Sequence, residues 1–261
     1  MNKLGDHDSV LESINKGWES TCRAILGKSV GEIDQYTEYL ERFVEPYGLA
    51  KSAISGKVVA VTGNYGKNAK FISGDEIGEY AKISEKKKLN INEIKDIDSI
   101  IEALGEQIYY SGNDVLGNSS QVHLSNRVVD SSFVYKAHDV FFSKYIAYTY
   151  LSKYSEYAFG SESVGFGTHF AIKCFETYED SRLFECVRTY LSSDCIYTAN
   201  LENCQNCLFS FNLRSKRRCI GNLELNEVEF SKIKAKLQED ICQNLESKHS
   251  VISIMEIVGG K

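Results

Sequence analysis

Long apolar runs are missing from this chain. No stretch of about 18 apolar residues occurs, which excludes a transmembrane helix. The first residues, MNKLGDHDSVLES, lack the apolar core of a secretory signal, so the expected location is the cytoplasm. Positive charge is also short. The 30 Lys and Arg stand against 36 Asp and Glu, a net charge of −6, which removes the general electrostatic reason to expect nucleic acid or an acidic membrane as partner. Proline occurs once, at Pro46. Without a secretory signal, the eight cysteines read as reduced thiols rather than a disulfide framework.

What is present is ordinary in bulk and unusual in pattern. Hydrophobic residues at 43% and charged residues at 25% suit a folded soluble chain, and there are 16 tyrosines and 13 phenylalanines. Val10, Ile14, Trp18, Cys22 and Ile25 recur at helical spacing. A second helix is expected from Ser29, with Glu32 at the capping-box position and Ile33, Tyr36, Tyr39, Leu40 and Val44 on one face. Ile94, Ile97, Ile100, Ile101 and Leu104 predict another amphipathic helix, ending near Gly105, and the Lys86–Lys88 run before it reads as solvated surface.

Between these helices lies VVAVTGNYGKN, residues 58–68. It is similar to the phosphate loop of the Mur ligase family, V-T-G-T-x-G-K-[ST], which would imply a nucleotide site. A phosphate loop needs G-x-x-x-x-G-K-[ST], with a hydroxyl to hold magnesium and a helix to follow. Here Val61 stands at the first glycine position and Asn68 at the hydroxyl, and the following NAKFISG alternates like a strand. A β-hairpin formed by KVVAVT and KNAKFI is the expectation.

From Ser119 the sequence repeats every three residues. Ser119, Val122, Ser125, Val128, Ser131 and Val134 open a series of small or aliphatic residues that runs through Val164, Gly167 and Phe170. The register then moves by one. Ala171, Cys174 and Thr177 begin a second series that ends at Leu213, with Asp180 its only charged member. Cys174, Cys186, Cys195, Cys204, Cys207 and Cys219 all belong to this class.

A helix repeats near 3.6 and a flat strand at 2, so neither explains a sustained period of three. A tight parallel β-solenoid does, because every third side chain enters a narrow bore. Outward aromatics set the coil length. Phe133, Tyr145 and Tyr157 are spaced by twelve, as are Phe142, Tyr154 and Phe166, so a coil of about twelve residues stacks them into two ladders. The expected organisation is an N-terminal α+β region over 1–118, the solenoid over 119–222, and a C-terminal capping helix and tail over 223–261. In that last helix Val228, Ile233, Leu237 and Ile241 are expected to face inward, and VISIMEIV reads as a terminal strand.

The block NCLFSFNLRSKRRCIGN, residues 206–222, resembles a C-terminal signature, L-R-x-K-x-x-C-I-x-N, of uncharacterised Cys-rich triplet-repeat β-helix proteins from prokaryotic and phage genomes, a resemblance that covers about residues 170–240. That resemblance implies a solenoid, suggests a virion or assembly component, and implies no activity.

No catalytic group stands out. His123, His138 and His169 fall outside the inward class and are expected at the surface; His138-Asp139 is only an adjacent pair. Cys195, Cys204, Cys207 and Cys219 have spacing that suits zinc or an iron–sulfur cluster, but a column of thiols packed in the bore explains it without metal. Arg214, Lys216, Arg217 and Arg218 form a basic patch that Glu224, Glu227 and Glu229 can neutralise. The two aromatic ladders are the candidate binding surface. The expectation is a non-catalytic scaffold with a protein partner or a second copy, no cofactor, and neither membrane nor nucleic acid. Its alternatives are a group-transfer enzyme with a groove along the rod and a cysteine-based metal scaffold.

Overall fold

A computed structural model describes residues 4–85, 92 and 94–257. Its organising feature is local. From Gln121 to Arg218 every third residue is left-handed, with φ between 36° and 61°, interrupted by an extra position at Gly167. Each left-handed residue turns the next side chain into the bore and the one after it outward, which is why the period is three. The left-handed region costs an L-residue roughly 1 kcal/mol. The arrangement persists because stacking returns hydrogen bonds at every coil.

A coil holds two four-residue strands and two corners, as in Ser132–Tyr135 followed by His138–Phe141. Each strand pairs in parallel with the strand one coil on. Ile146 meets Ala158, and Ser152 meets Val164, both twelve residues apart. About nine turns form the parallel β-solenoid. From His169–Tyr178 onward the two strands of a coil merge into ten-residue strands that bend round the corner.

The bore separates two kinds of column. Val122, Val134, Ile146 and Ala158 stack in the straight segments, all buried. Ser119, Ser131, Ser143 and Ser155 stack at a corner, where the strand ladder cannot satisfy every amide. There Ser131 Oγ donates to Val129 O at 2.8 Å and accepts Ser143 N at 3.0 Å. Ser143 does the same with Phe141 O and Ser155 N, at 2.7 and 3.2 Å. A small hydroxyl therefore serves its own coil and the next.

One coil holds an extra residue. Glu156 pairs with His169 and Glu162 with Phe175, thirteen apart. Gly167 (φ 89) absorbs the addition, and Thr168 takes the corner position, fully buried. The expected register change at Ala171 is therefore displaced. Gly167 and Phe170 lie outside the bore, and the change falls between Val164 and Thr168.

Helix α1 (His7–Leu26) lies along one side of the stack, starting at Asp6, whose side chain accepts Ser9 N, and stopping at Gly27 (φ 87). A helical turn rises ~5.4 Å and parallel strands lie ~4.8 Å apart, so successive turns meet successive coils. Val10, Ile14, Trp18 and Cys22 pack against the outward column that includes Tyr135, Ala147, Phe159 and Ile172. The helix expected from Ser29 is shorter. Gly31 is left-handed (φ 112), Trp18 Nε1 donates to Gly31 O, and Ile33 N donates to Asn15 Oδ1, so these groups bind α1 instead of extending a helix. Only a 3-10 turn at Ile33–Tyr36 and α2 (Thr37–Glu41) form.

The expected hairpin is displaced as well. Val58–Val61 pairs antiparallel with Gly48–Lys51, while Phe71–Ser73 pairs in parallel with Tyr110–Gly112. Asn113 fixes this arrangement. Its side chain bonds Ala60 N, Val58 O and Ser73 Oγ, and ties the hairpin to the first coil. Helix α3 spans Ile77–Ser84 and α4 Ile97–Gln107, and the Lys86–Lys88 run lies outside the described residues. Ile97 and Ile101 of α4 are exposed.

At the other end Leu223–Glu224 turns back on Arg217–Ile220, and α5 (Glu227–Lys248) follows, docking on α1 through Gln238 Nε2 to Ile25 O at 2.6 Å. Its buried face is Phe230, Ile241, Cys242 and Leu245. Val228, 80% exposed, and Ile233 point to solvent, contrary to expectation, because α5 rests on the seam between α1 and the last coils rather than on a flat face. The segment after it forms α6 (Ile254–Ile257), not a strand; its anticipated last residue, Val258, lies outside the described residues. No described helix is long and apolar enough to cross a membrane.

Candidate functional site

The solenoid builds both aromatic ladders. Phe133, Tyr145 and Tyr157 stack with centroids 4.7 Å apart at each step, and the extra residue brings Phe170 onto the end at 4.8 Å. Helix α1 lies over this ladder. A Cβ on Gly17 would sit 3.1 Å from the Tyr145 ring, so glycine permits the approach. Phe142 and Tyr154 stack at 4.8 Å in the second ladder, while Phe166, in the thirteen-residue coil, tilts away at 5.6 Å. Tyr178 extends it at 5.4 Å. This ladder is open to solvent: Phe142 is 45% exposed, Tyr154 46% and Phe166 43%, and Tyr190 and Leu191 continue the strip. The Lys153 ammonium lies over the Tyr154 and Phe166 rings at 6.0 and 5.2 Å.

The histidines part company. His169 is exposed beside Glu156, and His123 is half-buried against Gly5 O. His138 is 3% exposed, which corrects its surface assignment. The turn at Pro46–Tyr47 covers it from one side, with the Tyr47 ring at 5.9 Å, and Tyr150 stacks on it at 4.7 Å. Its Nδ1 is buried without a partner, and burial pushes its pKa down to about 4, with the Arg127 charge adding to the effect. Asp139 pairs with Arg127 at 2.9 Å, so the adjacent His and Asp do not form a catalytic dyad. His138 lines a cavity of about 350 Å3 with Glu41, Pro46, Tyr47, Lys136 and Tyr148. Nothing in the three-residue pattern announced this cleft, since the covering turn lies about 90 residues earlier.

The cysteines behave as bore residues. Cys186 donates to Phe184 O, Cys195 to Ser193 O and Cys204 to Glu202 O, at 3.3–3.4 Å, each to the carbonyl two residues back. The serines use the same bond, as in Ser210 to Leu208 O. Cys195, Cys207 and Cys219 stack in one column, with Cys207 and Cys219 in register. A hydrogen bond from Cys195, with smaller help from Cys219 and Cys204, pulls the Cys207 thiol down to about 7 against its burial. Among the described residues no group of three or more His, Cys, Asp or Glu side chains is arranged to hold a metal ion.

A buried charge cluster occupies the corner under α2. Lys173 and Glu185 are both fully buried. The Lys173 ammonium donates to Leu40 O at 3.3 Å and to Arg42 O, and faces the rings of Tyr39, Phe43 and Phe175. Glu185 accepts Tyr39 Oη at 2.5 Å, Ser253 Oγ at 2.9 Å and Ile254 N at 2.8 Å. Burial lowers the Lys173 pKa and raises that of Glu185. These bonds clamp the chain before and after the solenoid to its side, which is a structural role.

Two further expectations resolve simply. After Val58–Val61 the chain reaches the strand Phe71–Ser73 without opening a helix, so residues 58–68 lack the architecture of a phosphate loop. In the basic patch Arg214 pairs with Glu202 at 2.7 Å and Lys216 with Glu224 at 3.3 Å.

No protein-family model, curated protein or solved structure matches the chain.

Proposed function

We propose that the protein is a non-catalytic β-solenoid scaffold that self-associates through the strip formed by Phe142, Tyr154, Phe166 and Tyr178. The observation that carries this reading is the contrast between two ladders of one design. One is covered by α1, and the other carries no cover among the described residues. An exposed apolar strip on a rigid frame marks an association surface. Its spacing also favours a second copy. The coils that carry the rings repeat at the ~4.8 Å strand pitch, and an antiparallel copy offers rings from coils of the same pitch, so contacts add along the rod. A virion or similar assembly is the setting suggested by the triplet-repeat resemblance.

Sedimentation equilibrium tests it. Wild type is expected to form a dimer or larger closed species, and Phe142→Ser with Tyr154→Ser to give a folded monomer. A wild-type monomer at micromolar concentration, or a double variant that associates unchanged, defeats the reading.

A further inference from the structure

The cavity beneath the Pro46 turn holds polar groups that the fold does not use. His138 is almost wholly buried, yet its Nδ1 has no partner. The Lys136 ammonium sits 5.4 Å from the centroids of Tyr135 and Tyr148 and forms no salt bridge among the described residues. The Glu41 carboxylate is likewise without an ion pair or side-chain hydrogen bond, though it feels the field of Lys136. Folding tends to satisfy buried polar groups, which sets His138 Nδ1 apart; Glu41 is exposed and Lys136 half-buried, so their charges are hydrated and open to a ligand. Here a cation, the carboxylates of Glu41 and Glu45, and a neutral imidazole line one cleft, and the rest of its wall is Val44, Pro46, Tyr47, Leu49, Tyr148 and Thr149.

We propose that this cleft binds a small zwitterion with an apolar side chain, of the α-amino-acid class. Its carboxylate meets Lys136, its ammonium meets Glu41, and its side chain lies against Tyr47 and Pro46. Lys136 and Glu41 are then both paired, which neither a simple acid nor a simple amine achieves. His138 supplies a hydrogen bond from an imidazole that stays neutral, so it does not compete with Lys136 for the anion. A volume of about 350 Å3 falls at the low end of ligand pockets and suits a single amino acid rather than a nucleotide or cofactor. This inference is independent of the association through the aromatic strip, which lies along another corner of the coil.

Calorimetric titration of the full chain with L-phenylalanine, phenethylamine and 3-phenylpropanoate tests it. Phenylalanine is expected to bind saturably, and each half-ligand about tenfold more weakly or worse. Lys136→Met should erase the advantage of phenylalanine over phenethylamine, and Glu41→Gln its advantage over 3-phenylpropanoate. Both side chains are partly open to the cleft, and circular dichroism verifies that each variant folds. His138→Gln, which keeps a polar group in the cleft, should weaken L-phenylalanine and 3-phenylpropanoate, whose carboxylate can accept the imidazole N–H, and leave phenethylamine unchanged. No saturable heat from any ligand up to about 10 mM, or phenylalanine affinity unchanged in both Lys136→Met and Glu41→Gln, overturns the proposal.

Discussion

Asp180 accepts the amide of Ser192, one coil further on, at 2.7 Å. It holds the place in the corner column where Ser131 Oγ accepts the amide of Ser143. A carboxyl thus stands in for a hydroxyl. It also accepts Tyr178 N at 3.1 Å, but burial outweighs both bonds and pushes its pKa up to about 8.

That shift ties the stability of the fold to pH. The folded protein holds this proton more tightly than the unfolded chain, whose value lies near 3.8. The stabilisation is therefore complete below about pH 4 and is lost as pH rises through about 8. Urea midpoints should fall by the equivalent of a few kcal/mol between pH 5 and 9, and Asp180→Asn should flatten that slope. A slope unchanged in the variant would assign the pH dependence elsewhere.

Gly160 tests the corner facing α2. It is left-handed (φ 61), and a Cβ there would lie 2.9 Å from Leu40 O. Gly160→Ala should destabilise by about 2 kcal/mol or more, since strain and collision add. Gly56, also left-handed (φ 75) with nothing within 4 Å of an added Cβ, should cost only the conformational part, about 1 kcal/mol. Thermal denaturation of the two variants compares them directly.

Lys173 should matter locally more than globally. Lys173→Met removes the donor from Leu40 O and Arg42 O and leaves Glu185 without its nearby cation. A loss of about 1–3 kcal/mol is expected, together with faster amide exchange in residues 37–46 than in the coils. Uniform exchange throughout the chain would contradict the clamp.

The cysteine column offers a chemical test. Cys204 occupies the same corner column as Ser192, and its own amide donates to Ser192 Oγ at 3.0 Å. Cys204→Ser should therefore change stability by less than about 1 kcal/mol. Cys195→Ser, in the column shared with Ala171 and Leu183, should cost more, because a hydroxyl there replaces an apolar contact. Elemental analysis of protein prepared without oxygen completes the test. Stoichiometric zinc or iron lost on mutating Cys207 would replace the packing account.

The sequence carried the solenoid because its rule is local. One left-handed residue in three forces one inward side chain in three, and a bore this narrow is filled mainly by Ser, Thr, Cys and aliphatic residues. The twelve-residue coil was legible from Phe133, Tyr145 and Tyr157 for the same reason, since stacking ties identical positions of successive coils. Even the extra residue left its trace, though only Gly167's geometry shows that Thr168, not Ala171, is the first bore residue in the new register.

What covers the rod was not legible. The two ladders are equivalent as sequence, and the placement of α1, set by Gly17 and by Trp18 against Phe159, decides that one is covered and the other exposed. The same holds for His138, buried by a turn distant in the chain, and for α5, whose inward face follows from the seam it meets. Periodicity fixes which way a side chain leaves the backbone; only the docking of remote segments decides what it meets there.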